Sequence, residues 1–370
     1  MALQPSRVLV VGSGAAGVMT AQGLRRRGYE GEIALIGEEP AHSYDRPPLS
    51  KQVLAGDWEP GKAVLMPASR IDDLRIDFRQ PLRATRLDVE ARTVTTDDGG
   101  EHPYDELVIA TGVRPRTLPS LGDGVHVLRT MEDAAGLRAA LEGAGRLAIV
   151  GGGFIGLEVA ATARKLGLEV TVIEPLAEPL AGRLTVPVAE RLLALHRANG
   201  VDLRTGVGVT GSAGERLALS DGTELDADVV LVAIGCEPAV DWLEGSGLSI
   251  EDGVICDEFC QAAAHVWAAG DVARWHHRGL ERSLRVEHRM NANEQGATVA
   301  ANILGAHETF TPIPFFWTDH YDVKLQVWGV LPSGVEPELA EGELDGERFV
   351  LTVREPGSGH VIGAIGWNSA

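Results

Sequence analysis

RVLVVGSGAAG, Arg7 to Gly17, is an apolar run that breaks at its first glycine. The residues at 8–11 read as a fully buried parallel strand, and Gly12, Gly14 and Gly17 open a helix in the G-x-G-x-x-G pattern. A dinucleotide site needs glycines there because the backbone must turn sharply, approach a pyrophosphate and pack helix on strand. The helix N-terminus then offers aligned N–H groups to the phosphate charge. A lone match is weak evidence. This one recurs at Arg146 to Gly156, RLAIVGGGFIG, with Gly151, Gly153 and Gly156.

Each fingerprint is followed by the same plan. After the first, a helical stretch from Ala15 to about Arg27 leads into EIALI, Glu32 to Ile36, and then Glu38, 21 residues after Gly17. That is near the spacing at which a carboxylate accepts a ribose hydroxyl; Glu39 is a credible substitute, and a solvated loop acid is the plain alternative. After the second, a helix from Ile155 to about Leu166 leads into EVTVI, Glu169 to Ile173, and Glu174, 18 residues beyond Gly156. Glu178 follows where a 2′-phosphate would want an arginine, which favours NADH over NADPH. The duplication reaches further. Asp98-Gly99 opens a run that ends in ELVIATG at Gly112, and Asp221-Gly222 opens one that ends in VVLVAIG at Gly235; both intervals are 14 residues. Two related dinucleotide-binding domains follow from this, with crossovers near Pro115 and Pro238.

At 370 residues the chain has room for two or three domains, and 44% apolar with 23% charged residues suits a globular protein with a sizeable core. A formal net charge of −20 argues against general nucleic-acid or anionic-membrane binding. MALQPSR leads into a fingerprint rather than a signal-type apolar region, and no apolar run reaches ~18 residues, so the expected location is cytoplasmic. Cys236, Cys256 and Cys260 form no C-x-x-C pair and read as bystanders, and His276, His277 and His288 as surface or hydrogen-bonding histidines; no metal site is expected. Between the first fingerprint and its crossover, YDRPPLSK, Tyr44 to Lys51, has no counterpart in the repeat. It reads as an extended, proline-containing approach to a helix start that brings Lys51 toward the bound ring system.

ATG at 110–112, AIG at 233–235 and WAAGD at 267–271 resemble the pyridine-nucleotide flavoprotein reductases. DRPPLSK at 45–51, LRTMEDA at 128–134, GGGFIGLEVAA at 151–161, RVEH with NA at 285–292 and FFWTDHYDVKLQVWG at 315–329 narrow this to the putidaredoxin reductase-like ferredoxin reductases of bacterial oxygenase systems. The resemblance covers nearly the whole chain. It implies a glutathione reductase-like α/β fold: an FAD domain at 1–115 and 240–310, an NADH domain at 116–239, and a small α+β domain at 311–370.

The resemblance also implies roles. Gly12, Gly14, Ala15 and Glu38 would hold the adenine half of FAD, with Arg46, Ala110, Thr111, Gly112, Arg129, Gly270 and Asp271 as further cofactor contacts. Gly151, Gly153, Ile155, Gly156 and Glu174 would hold NADH. Lys51 would lie beside the flavin and offset charge on its reduced form, Glu158 would sit near the nicotinamide and pair with Lys51, and Trp317 would pack near the flavin. For Glu158 the plain alternative is a first-turn acid favoured by the helix dipole, and for Trp317 a core side chain. NADH would pass a hydride to FAD, which would then release single electrons to a two-iron two-sulfur ferredoxin. Arg274, Arg278, Arg282, Arg285 and Arg289 form a locally basic stretch that suits docking of such an acidic carrier. The expected state is a monomer or weak homodimer. The sequence departs from the resemblance at Arg289, where an aromatic or apolar residue is usual, and in stopping at GWNSA, where a final helix usually follows. Other open readings are an NADH oxidase, a rubredoxin or disulfide reductase, and a redox sensor like the apoptosis-inducing flavoproteins.

Overall fold

The computed structural model describes residues 4–369 except 41, 123, 181, 214, 215 and 333. It forms two compact units: Met1–Asp45 with Ala63–Arg114 and Glu237–Pro314, and Arg46–Lys62 with Pro115–Cys236 and Phe315–Ala370. The sequence division placed 46–62 in the first part and 311–370 apart; here Arg46–Lys62 and Phe315–Ala370 group with the second dinucleotide half.

In the first unit Arg7–Val11 pairs in parallel with Glu32–Ile36 on one side and Glu106–Ile109 on the other. Ile76–Arg79 extends the sheet beyond Glu32–Ile36, and Val266–Ala268 extends it beyond Glu106–Ile109. All but the edge strand Ile76–Arg79 are near-continuous apolar runs, as expected where helices cover a parallel sheet on both faces. Val8–Val11, Leu35, Leu107, Val108 and Ile109 are at most 3% exposed. Ala15–Arg26 follows the first fingerprint, and Arg289–Ile303 packs along it. Small residues permit that approach: a Cβ on Gly296 would lie 2.5 Å from the Ala16 carbonyl oxygen, and one on Gly23 2.9 Å from Ala300 Cβ.

The second unit repeats this sheet in the order Val201–Thr205, Glu169–Glu174, Arg146–Val150, Val229–Val232, all parallel. Phe154–Lys165 is its fingerprint helix. Residues 315–367 add a five-stranded antiparallel sheet ordered Phe315–His320, Val323–Gly329, Val361–Trp367, Phe349–Arg354, Glu338–Gly342. That segment has no helix among its described residues. Its apolar face instead packs on the second half: Leu325, Phe349, Leu351, Ile365 and Trp367 share a core with Leu157 and with Val188 and Leu192 of Val186–Ala198.

Candidate active site

The two glycine loops are built alike to the level of single atoms. Gly12 has φ +116° and Gly151 +114°. A Cβ on Gly12 would lie 2.1 Å from the Ala110 carbonyl oxygen, and a Cβ on Gly151 2.3 Å from that of Ala233. The third glycines are closed in the same way, since Cβ atoms on Gly17 and Gly156 would lie 1.9 and 2.2 Å from the carbonyl oxygens of Gly12 and Gly151. The middle glycines differ from these: nothing lies within 4 Å of a Cβ on Gly14 or Gly153. Each is the N-cap of its fingerprint helix, and no side chain caps either helix. An open approach to an uncapped helix N-terminus is the shape a pyrophosphate requires, so both loops fit a dinucleotide.

Around the first loop the structure gathers most of the residues expected there. Ala110 donates its N–H to the Val11 carbonyl, and Thr111 Oγ1 donates to the Ala239 carbonyl at 2.9 Å. Gly112 and Gly270 both have positive φ, and a Cβ on Gly270 would lie 2.9 Å from Ala16 Cβ. Gly270 N–H donates to buried Gln295, which fixes the Gly270-Asp271 turn against the start of the fingerprint helix. Glu38 is exposed, 3.7 Å from Arg114. Glu39 accepts a hydrogen bond from Tyr44.

In the second loop Glu174 is tied down. Its carboxylate accepts from the backbone N–H groups of Gly152 and Leu176, both at 2.8 Å. Ile155 is exposed on the first turn of the helix.

DRPPLSK does start a helix, but Leu49–Val53 is a π-helical turn rather than α. Val53 N–H bonds to the Pro48 carbonyl, and the wider turn aims Ser50 and Lys51 at one acceptor. That acceptor is Glu158. It lies beyond the first turn of its helix and is 4% exposed, so the dipole-favoured surface acid is ruled out. Lys51 Nζ lies 3.0 Å from Glu158 Oε1, and Ser50 Oγ donates to Oε2. Thr318 Oγ1 donates to Oε1 at 2.8 Å and the Asp319 N–H at 3.4 Å. A carboxylate taken out of water needs this many donors. Asp319 stands 3.8 Å from Lys51; burial raises its pKa, against the pull of Lys51.

Arg46 donates to the Arg129 carbonyl. The Arg129 and Thr130 N–H groups both donate to Asp133, in a capping box that starts Met131–Leu141. Trp317 is half-buried and stacks on Phe315, with ring centroids 6.1 Å apart, rather than filling a core.

Sequence reasoning passed over Ser50, Thr318, His320 and His196. Ser50 and Thr318 adjoin Lys51 and Trp317, but nothing in their spacing shows that two hydroxyls 268 residues apart meet one acid. His320 and His196 are fully buried and bonded to each other, Nδ1 to Nε2, at 3.2 Å. Burial lowers both pKa values to about 3, helped by Lys51 at His320 and by His320 at His196. Buried His277 is bonded through both ring nitrogens, to Pro312 and Leu280.

Three of the five arginines in the basic stretch are paired: Arg274 with Glu251, Arg285 with Asp252 and Glu287, and Arg289 with Asp45. Arg278 and Arg282 are exposed and form no ion pair among the described residues. Cys256 and Cys260 are buried free thiols; burial raises both pKa values, that of Cys260 to about 12. Neither presents a thiolate.

The profile of the pyridine nucleotide-disulphide oxidoreductase family matches residues 6–296. This chain belongs to that family. Among pyridine nucleotide-disulphide oxidoreductases, it is 42% identical over 359 residues to the ferredoxin reductase component of chlorobenzene dioxygenase from Cupriavidus sp. (strain PS12), covering 95% of this chain and 87% of that protein. The ferredoxin reductase for the CYP199A2 system of Rhodopseudomonas palustris superposes with a TM-score of 0.94 at 32% identity, over 98% of this chain and 91% of that one. The reductase in the covalent putidaredoxin reductase–putidaredoxin complex gives 0.91 at 34% identity, over 98% and 90%.

Proposed function

We propose that this enzyme is the reductase of an oxygenase system: it takes a hydride from NADH onto FAD and passes electrons one at a time to a ferredoxin. The observation that carries this reading is the pair of equivalent glycine loops in a chain whose buried thiols offer no reactive dithiol. One nucleotide cofactor and one nucleotide substrate account for two such loops. Relatives that serve dioxygenases supply the acceptor class.

FAD, when bound, supplies the conversion of a two-electron hydride donor into a one-electron donor. The protein supplies position and charge. Gly12, Gly14, Ala15 and the turn at Gly270-Asp271 would hold it, with Ala110 to Gly112 closing the loop from the next strand. Lys51, kept in one orientation by Glu158, would offset negative charge on the reduced cofactor, and Arg46, Arg129 and Trp317 would complete its surroundings. Glu174 would accept the adenosine ribose hydroxyls of NADH. No arginine stands near it in sequence to favour a 2′-phosphate, which supports NADH over NADPH. The carrier in this reading holds a two-iron two-sulfur cluster, and its acidic face docks at Arg278 and Arg282, which form no ion pair among the described residues. The site of action is the cytoplasm and the working state a monomer or weak homodimer.

Anaerobic stopped-flow mixing of the yellow protein with NADH, followed by a panel of two-iron ferredoxins, tests the reading. Fast bleaching and fast reoxidation by one carrier are expected. Bleaching that only oxygen reverses would make it an oxidase. A long-lived reduced complex that changes oligomeric state would make it a sensor.

A further inference from the structure

Oxidising NADH with a one-electron carrier leaves a proton behind. The hydride is one proton and two electrons, two carriers each take one electron, and NAD⁺ and one proton remain. That proton must reach water. Glu158, the acid at the centre of the second unit's polar cluster, is 4% exposed and has no direct route.

A continuous hydrogen-bonded chain leads outward from it. Thr318 Oγ1 donates to Glu158 Oε1 at 2.8 Å, and His320 Nε2 is 2.9 Å from Thr318 Oγ1. His320 Nδ1 is 3.2 Å from His196 Nε2, and His196 Nδ1 is 3.4 Å from the Tyr321 hydroxyl. Thr318 is 1% exposed and both histidines are buried completely, whereas Tyr321 is half-exposed at the turn between two strands. The residues come from two elements, the helix Val186–Ala198 and the hairpin that begins Phe315–His320. A hydroxyl and two imidazoles in series are an unusual filling for a core, where leucines would pack without polar groups to satisfy.

We propose that Thr318, His320, His196 and Tyr321 form a proton exit from Glu158 to solvent, resting on the reductase reading above. Lys51 Nζ, 3.0 Å away, gives Glu158 Oε1 a proton and regains one from the cofactor side; the Oε1 proton passes to Thr318 Oγ1 as the threonine proton moves to His320 Nε2. The His320 Nδ1 proton moves to His196 Nε2, the His196 Nδ1 proton to the tyrosine oxygen, and the tyrosine proton to water. Every group keeps its proton count, Glu158 returns to the carboxylate, and one proton has left. The end state has Thr318 donating to Glu158, as the geometry shows. Rotation of the hydroxyls and reorientation of the rings reset the chain. Because burial keeps both imidazoles neutral, the transfer runs by exchange of tautomers without a buried imidazolium. The competing exit is Lys51 to Asp319, 3.8 Å apart.

The test uses the FAD-loaded enzyme, reduced anaerobically with one equivalent of NADH and mixed with ferricyanide, which takes electrons without protons. Absorbance of the reduced enzyme reports electron loss, and phenol red in unbuffered solution reports the proton. In His320→Gln and His196→Gln, which keep hydrogen bonds but not a two-nitrogen relay, and in Tyr321→Phe, proton release should lag electron loss by about tenfold or more. Asp319→Asn should leave them coincident. ¹⁵N spectra of the oxidised enzyme should show both imidazoles neutral at pH 6, and His196 Nδ1 losing its hydrogen bond in Tyr321→Phe. Proton release at the wild-type rate in Tyr321→Phe and His320→Gln overturns the proposal, as does a lag confined to Asp319→Asn. Failure of NADH to reduce the wild type would instead remove the reductase reading, and the exit with it.

Discussion

The two dinucleotide halves share a backbone and differ in where they place bulk and charge. Gly12 and Gly151 donate to the carbonyls of equivalent strand residues, Ile36 and Ile173, at 2.9 and 2.8 Å. Beyond that point the halves diverge. After Ile36 comes Gly37, and a Cβ there would meet Ser13 Oγ at 2.5 Å; after Ile173 comes Glu174, whose partner is Gly152, where a Cβ would meet Glu174 Cβ at 3.2 Å. Each half therefore leaves room for one side chain at this contact and gives it to opposite partners. The second half spends the space on a carboxylate anchored to the loop itself, while the first displaces its acid one residue on, to exposed Glu38. The repeat thus keeps the glycine geometry of the loop while the two halves place their carboxylates differently. Among the described residues, only the second unit also buries an ion pair, Lys51 with Glu158, at 13% and 5% side-chain exposure.

The largest effects should come from the closed glycines. Gly12→Ala should yield protein purified without FAD, and Gly151→Ala protein that keeps FAD but is not bleached by NADH. Cofactor absorbance and anaerobic titration separate the two, and identical phenotypes would break the assignment of one loop to each nucleotide. Next in size is Lys51→Ala, which strands a buried carboxylate; urea unfolding should show a loss of about 3 kcal/mol. The same variant should retain FAD yet be reduced at least about tenfold more slowly, and normal single-turnover reduction would remove Lys51 from the flavin.

The buried histidines give the second unit its own acid sensitivity. Their folded pKa values, about 3, lie below the ordinary 6.5, so only the unfolded chain takes up protons as pH falls through 6.5 toward 3. Stability is complete above 6.5 and falls below it, by up to about 1.4 kcal/mol per pH unit for each histidine. Urea midpoints from pH 7 to 5 should slope accordingly, and His196→Gln with His320→Gln should flatten them. A smaller change is expected from Glu174→Ala, which should lower NADH over NADPH preference by roughly tenfold; an unchanged ratio would point to another residue. Smallest is charge reversal at Arg278 and Arg282, which should slow ferredoxin reduction a few-fold at low salt, spare ferricyanide, and fade at high salt as screening grows. Equal loss with both acceptors would sink docking at those arginines.

Much of the fold was legible because its signals are local. A buried parallel strand reads as an apolar run, a phosphate turn as spaced glycines, and a duplication as the same spacing twice. Asp98 and Asp221 show how far this reaches, since each caps its turn by accepting a backbone N–H two residues on, at 2.9 Å. The strand Glu32–Ile36 and the fingerprint helix from Ala15 lie where the pattern puts them. The C-terminal sheet was harder to assign, because its alternating strands show that one face is covered but not by which helices.

The sequence by itself determined the two nucleotide loops, their order and the absence of a dithiol, since each depends on residues within a few turns of one another. Only the tertiary structure decided that Ser50 and Thr318 join Lys51 on the Glu158 carboxylate, that His196 and His320 continue from it, and which arginines of the basic stretch form ion pairs. Those outcomes depend on desolvation. Whether an acid is a solvated surface group or a buried anion in need of donors is set by the packing of segments more than 100 residues apart. No local pattern records that cost.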